Sequence, residues 1–133
     1  MRDIILHNKV FEVFITENEI QKIVESIANN INTTKIKDPL FIAVLNGSFL
    51  FAADIMRKIT LPNAEISFIK LSSYEGTKTT GNVNELIGIN KDISKRNIII
   101  LEDIIDTGIT LEKIITLLKK ENVADIKVAT LLF

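Results

Sequence analysis

Three acids and a short hydroxyl-bearing turn stand out first: Glu102, Asp103 and Asp106, followed by Thr107, Gly108, Ile109 and Thr110. Carboxylates offer hard oxygens that suit ribose hydroxyls or a hydrated Mg²⁺. A glycine beside two threonines suits a different ligand. Main-chain N–H groups at a helix start attract an anion, a glycine lets backbone approach closely, and hydroxyls add donors. Two acids at a strand end would, on their own, read as a solvated cap. Here they precede an Asp-Thr-Gly-x-Thr turn directly after the apolar run Ile98, Ile99, Ile100, Leu101. Acids for the sugar beside amides for the phosphate describe a site for a phosphorylated ribose.

Positioning such a site requires a strand that ends at the acids and a helix that begins at the turn. Residues 98–101 form the buried strand, and Leu111, Ile114, Ile115, Leu117 and Leu118 recur at helical spacing up to Lys119 and Lys120. Upstream, Thr16 and Glu19 have capping-box spacing ahead of a helix over about 17–31. Residues 40–45 are continuously apolar after Pro39, as expected of a strand covered on both faces. Gly47 or Ser48 opens a second helix to about Lys58, whose first half is apolar nearly all round and should pack deeply. Short strands are expected over 10–15, 64–71 and 126–133. Residues 72–84 are polar, without a period of their own, and read as a long loop. Strands alternating with helices imply an α/β fold with a mainly parallel central sheet flanked by helices.

The composition narrows the class. The chain has 133 residues, 47% hydrophobic and 25% charged, and a formal net charge of −1. One domain over 1–133 is expected. The charge balance offers no attraction to nucleic acid or membrane. Cysteine is absent, which removes disulfides, thiolate metal sites and a cysteine nucleophile. No leader or membrane span is read, and a cytoplasmic location is expected. His7, the only histidine, sits in a charged stretch and reads as a surface residue.

The segment Glu102-Asp103-Ile104-Ile105-Asp106-Thr107-Gly108-Ile109-Thr110 resembles the phosphoribosyl-diphosphate motif of type I phosphoribosyltransferases. Its Glu-Asp-Ile-Ile-Asp form is similar to the hypoxanthine-guanine branch. Leu45-Asn46-Gly47-Ser48-Phe49 resembles that family's diphosphate loop, and 68–74 resembles the entry to its mobile catalytic loop. Order and spacing agree from about Phe11 to Phe133.

The resemblance implies residue roles. Asp106 would be the catalytic acid/base at the purine imidazole, and Asp106, Thr107, Gly108, Ile109 and Thr110 would hold the 5′-phosphate. Leu45, Asn46, Gly47 and Ser48 would bind diphosphate, with the Leu45–Asn46 peptide cis. Glu102 and Asp103 would meet the ribose directly or through Mg²⁺, and Ser73 and Tyr74 would belong to a lid over the reacting centre. The substrates implied are 5-phosphoribosyl 1-diphosphate and hypoxanthine or guanine, the cofactor Mg²⁺, and the assembly a homodimer or homotetramer. Family members usually continue past the strand matching 128–133, and that continuation supplies the groups that read the purine. The expectation is therefore a phosphoribosyltransferase core whose base-recognition part is not within 1–133. Two alternatives share these residues: a ribose-phosphate sensor without catalysis, and a transferase for another base such as xanthine or a pyrimidine.

Overall fold

The computed structural model describes residues 3–73 and 83–132, with backbone alone for 72, 73 and 83–87. Ten elements follow in chain order. They are β1 (Ile4–Leu6), β2 (Lys9–Phe11), α1 (Glu17–Thr34), β3 (Leu40–Val44) and α2 (Phe49–Met56). After these come β4 (Glu65–Ser73), β5 (Val83–Ile87), β6 (Asn97–Ile104), α3 (Ile109–Lys119) and β7 (Asp125–Leu132).

The sheet order is β5-β4-β3-β6-β7. β3 pairs parallel with both β4 and β6, β6 pairs parallel with β7, and β5 closes the edge antiparallel to β4. The expected mainly parallel sheet is therefore present, with one antiparallel edge strand that period reading did not find. Alternation along the central strands sends successive side chains to opposite faces. Phe41, Ala43, Ile99 and Leu101 pack with Val24, Ala28, Phe51, Ala52 and Ile55 of α1 and α2. Leu40, Ile42, Val44, Ile98 and Ile100 pack with Ile114 and Leu118 of α3. Each fully buried aliphatic side chain contributes roughly 1.5–3 kcal/mol, so this two-sided core is what holds β3 and β6 in register.

That layering creates the geometry of the site. The crossover after β3 runs through α2 to β4 on one side, and the crossover after β6 runs through α3 to β7 on the other. Adjacent strands whose connections diverge leave a crevice at their carboxyl ends, where open α/β sheets bind ligands.

Several boundaries differ from the sequence reading. The capping box at Thr16 is formed in both directions, at 3.2 Å and 2.9 Å, but α1 runs to Thr34 rather than 31. β6 runs through the acids to Ile104, because β7 continues to pair with it there. The loop read over 72–84 is shorter at both ends. Ser72 and Ser73 belong to β4 and pair with Asn84 and Val83 of β5, since an edge pairing needs main-chain partners rather than apolar alternation. The strand expected over 10–15 is instead β2, in a separate hairpin with β1 through His7 and Asn8, both at positive φ. α2 also departs from expectation: Phe51, Ala52 and Ile55 are buried, but Phe49 and Leu50 are 56% and 65% exposed. The helix is only eight residues long and offers the sheet one face.

Candidate active site

The carboxyl ends of β3 and β6 lie side by side, because Ala43 is registered with Leu101. The residues that continue each strand, Leu45 to Ser48 and Glu102 to Thr110, are thereby brought together. A cavity of about 190 Å³ opens there, lined by Val44, Glu102, Ile104, Ile105, Asp106, Thr107, Gly108, Thr110 and Leu111.

The turn after β6 is built to leave amides open. Ile105 N–H donates to the Leu132 carbonyl at 2.9 Å, which ties the end of β6 to β7. Gly108 then takes φ 81, a left-handed value that costs most residues about 1–2 kcal/mol, and it caps α3. Ile109 N–H bonds the Thr107 hydroxyl at 3.3 Å, and Glu112 N–H bonds the Gly108 carbonyl at 2.9 Å. Among the described residues, the N–H groups of Asp106, Thr107, Gly108 and Thr110 have no hydrogen-bond acceptor. Unpaired amides at the start of an 11-residue helix make an anion seat. Asp106 and Thr107 themselves are exposed.

The turn after β3 is tied down at both ends but open at Asn46 and Gly47, which are exposed and whose N–H groups have no acceptor among the described residues. The Leu45–Asn46 peptide is cis, as the resemblance implied. Leu45 N–H bonds the Ile69 carbonyl at 2.8 Å, Phe49 N–H bonds the Asn46 carbonyl at 3.3 Å, and Ser48 N–H bonds the Val44 carbonyl at 3.2 Å. Ser48 is fully buried, and its hydroxyl also donates to the Val44 carbonyl instead of capping α2. Gly47 lies against Asp103: a Cβ built on it would sit 3.1 Å from each carboxylate oxygen.

Glu102 and Asp103 occupy the last part of β6, both partly buried. Burial, then a hydrogen bond to Asp103 and the charge of that neighbour, raise the Glu102 carboxyl to about 7. Among the described residues neither carboxylate is paired with a cation, and the two could hold a hard cation. Among the described residues no group of three or more acidic, histidine or cysteine side chains could do so. Thr130 was not singled out from sequence. It is registered with Glu102 across β6 and β7, and its hydroxyl donates to the carbonyls of Leu132 (3.0 Å) and Asp103 (3.5 Å). The one hydroxyl in the apolar run 128–132 was the available signal. Of the two lid residues, Ser73 ends the β4 backbone, and Tyr74 lies outside the described residues.

A larger cleft of about 520 Å³ opens at the opposite ends of the strands, lined by Lys37, Asp38, Asn63, Glu65, Lys95, Arg96 and Asn97. Its two acids are engaged within the fold, although Arg96 Nε is buried without a partner among the described residues. Glu65 takes Lys91 and Arg96 at 3.0 Å each, which holds its carboxyl below the ordinary value, and Asn63 bonds Asp38 at 2.9 Å. The chemistry therefore favours the smaller cavity. Among the described residues no helix is long and apolar enough to cross a membrane.

Comparison with known proteins agrees with this geometry. The phosphoribosyl transferase domain family matches residues 15–133. The hypoxanthine phosphoribosyltransferase of Buchnera aphidicola subsp. Schizaphis graminum is 39% identical over 126 residues, covering 91% of this chain and 70% of that one. The hypoxanthine-guanine phosphoribosyltransferase of Staphylococcus aureus is 33% identical over 129 residues, covering 96% and 72%. A crystal structure of a hypoxanthine-guanine phosphoribosyltransferase from Bacillus anthracis superposes with a TM-score of 0.83 at 36% identity, over 92% of this chain and 73% of the other. Matched in sequence and in fold along most of its length, the chain belongs to the phosphoribosyltransferase family, in its hypoxanthine-guanine branch.

Proposed function

We propose that the protein is a purine salvage enzyme that transfers phosphoribose from 5-phosphoribosyl 1-diphosphate to hypoxanthine or guanine, giving the nucleoside monophosphate and diphosphate. The observation that carries this reading is the juxtaposition of two strand-end turns, one with open amides and one packed on a carboxylate. In the reaction a purine nitrogen forms a bond to the anomeric carbon while the bond to the diphosphate oxygen breaks. Charge develops at the ring in an oxocarbenium-like transition state.

Each residue has a task in this scheme. The amides of Asp106, Thr107, Gly108, Ile109 and Thr110, with the threonine hydroxyls, seat the 5′-phosphate and so fix the sugar. Asp106, exposed at the mouth of that seat, takes the proton that the purine imidazole gives up. Asn46 and Gly47, exposed in the β3 turn, face the departing diphosphate, with Leu45 and Ser48 holding that turn in place. Glu102 and Asp103 orient the ribose hydroxyls. Ser73 and Tyr74 belong to a lid that excludes water.

Mg²⁺ fits this donor set, because a pair of carboxylates completed by substrate oxygens and water is how that ion is usually held. The half-buried Glu102 carboxyl, hydrogen-bonded to Asp103, supports the fit, since a cation would compensate the solvent lost around it. When bound, the ion neutralises developing charge on the diphosphate. In this scheme residues 1–133 supply the phosphoribosyl half of the chemistry. A cytoplasmic homodimer or homotetramer is proposed, and the exposed Phe49 and Leu50 support association.

The test is diphosphate release measured with each base, alongside calorimetry with 5-phosphoribosyl 1-diphosphate and Mg²⁺. Binding together with base-dependent release is expected. Binding without release for any base would favour the ribose-phosphate sensor, and release only with xanthine or a pyrimidine would reassign the substrate.

A further inference from the structure

The two turns of the site meet at one contact, and that contact has a defined size. Gly47 does not have a positive φ, so its backbone conformation makes no demand for glycine. Space does. A Cβ at this position would stand 3.1 Å from Oδ1 and 3.1 Å from Oδ2 of Asp103, and 3.3 Å from the carboxyl carbon between them. The Asp103 main chain cannot retreat easily, because β7 pairs with β6 on both sides of it, at Glu102 and at Ile104. Only the side chain can yield, by turning away from the β3–α2 turn.

We propose that Gly47 is a positioning residue: its missing Cβ seats the Asp103 carboxylate against the main chain of the β3–α2 turn. This rests on the reading of the site given above, and it adds a mechanical consequence. The acid that serves the ribose and cation and the turn that receives diphosphate form one unit, so they are loaded together by a ligand that carries both parts. A methyl group at position 47 would separate them without removing a single donor or acceptor.

The test is a double-mutant cycle with Gly47→Ala, Asp103→Ala and the two combined, on the full chain. One arm measures thermal unfolding without ligand, and the other measures calorimetric affinity for 5-phosphoribosyl 1-diphosphate with Mg²⁺. Gly47→Ala alone is expected to lower Tm and to weaken affinity by about tenfold, while in the Asp103→Ala background it changes affinity by less than about twofold and leaves Tm nearly unmoved. A merely structural role for Gly47 would cost the same in both backgrounds, and losses that multiply would overturn the proposal. So would a Tm that Gly47→Ala leaves unchanged or raises. If Gly47→Ala fails to fold, the double variant must regain the fold, and its failure to do so would count against the proposal. Should the unaltered protein bind no phosphoribosyl diphosphate, the reading of the site fails, and the unliganded unfolding arm still judges Gly47 by itself.

Discussion

The turns after β3 and β6 start from adjacent parallel strands and lead into helices, and each contains one glycine. They differ in how much of each is tied down. In the β3 turn Ser48 is fully buried, with both its N–H and its hydroxyl bonded to Val44, while Asn46 and Gly47 are exposed and their amides have no acceptor among the described residues. The β6 turn is open, with exposed Asp106 and Thr107 and amides that have no acceptor among the described residues. A Cβ on Gly47 would stand 3.1 Å from the Asp103 carboxylate oxygens, whereas a Cβ on Gly108 would meet nothing within 4 Å and it is the φ of 81 that favours glycine there. The β3 turn is anchored by its buried serine and the β6 turn, with four open amides, is the proposed phosphate seat; the two glycines sit in different physical surroundings.

Breaking the seat should cost most. Replacing Asp106 with Asn is expected to slow single-turnover transfer by about 10²–10⁴-fold, the usual worth of a positioned acid/base, while substrate still binds by calorimetry. A rate that barely changes would remove Asp106 from its assigned role. Gly108→Ala comes next, at about 1–2 kcal/mol of stability by chemical denaturation, with weaker binding of ribose 5-phosphate. That cost should persist in an Asp103→Ala background, in contrast to the cost of Gly47→Ala, and a dependence on Asp103 would erase the distinction between the two glycines. Ser48→Ala tests the anchor of the β3 turn. It should lose about 1 kcal/mol of stability and little phosphate affinity, because the hydroxyl is spent inside the fold.

The pH dependence of the free protein tests the acid pair beside the seat. Glu102 has a folded value near 7, above the ordinary 4.5, so the native state holds its proton more tightly than the unfolded chain. The stability linked to this group is fully present below pH 4.5 and declines as pH rises through about 7. Glu102→Gln should flatten that decline in Tm. The same linkage means that binding Mg²⁺ with phosphoribosyl diphosphate near pH 7 should release protons, measurable as a dependence of binding heat on buffer ionisation enthalpy. A binding heat independent of buffer would contradict it.

Much of the architecture was legible because buried strands and amphipathic helices leave strong periods. The runs at 40–45 and 98–101, the capping box at Thr16 and the stripe from Leu111 to Leu118 all became the expected elements, with Leu45 falling just past the end of β3. The α/β class followed from their alternation. The elements that escaped are those whose partners are main chain rather than core. β5 pairs at the edge of the sheet, and β1 and β2 pair only with each other, with Ile4, Ile5, Val10 and Phe11 all exposed. Phe49 and Leu50 misled for a related reason, since apolar character alone does not say which helix face meets the sheet. Within the site, residue types picked out the Asp106–Thr110 turn and the adjacent acids that border the cavity. The contact between Gly47 and Asp103 was not readable, because it joins residues 56 positions apart through the register of β3 and β6. Thr130 was hidden the same way, across the register of β6 and β7.

The central claim is that the β6–α3 turn receives a phosphoryl group on its main-chain amides. Crystals soaked with ribose 5-phosphate test it most directly. The phosphate is expected within hydrogen-bond distance of the amides of residues 107–110, with the ribose turned toward Glu102 and Asp103. Phosphate density at the far cleft of Lys37, Lys95 and Arg96, with the turn left vacant, would contradict the account.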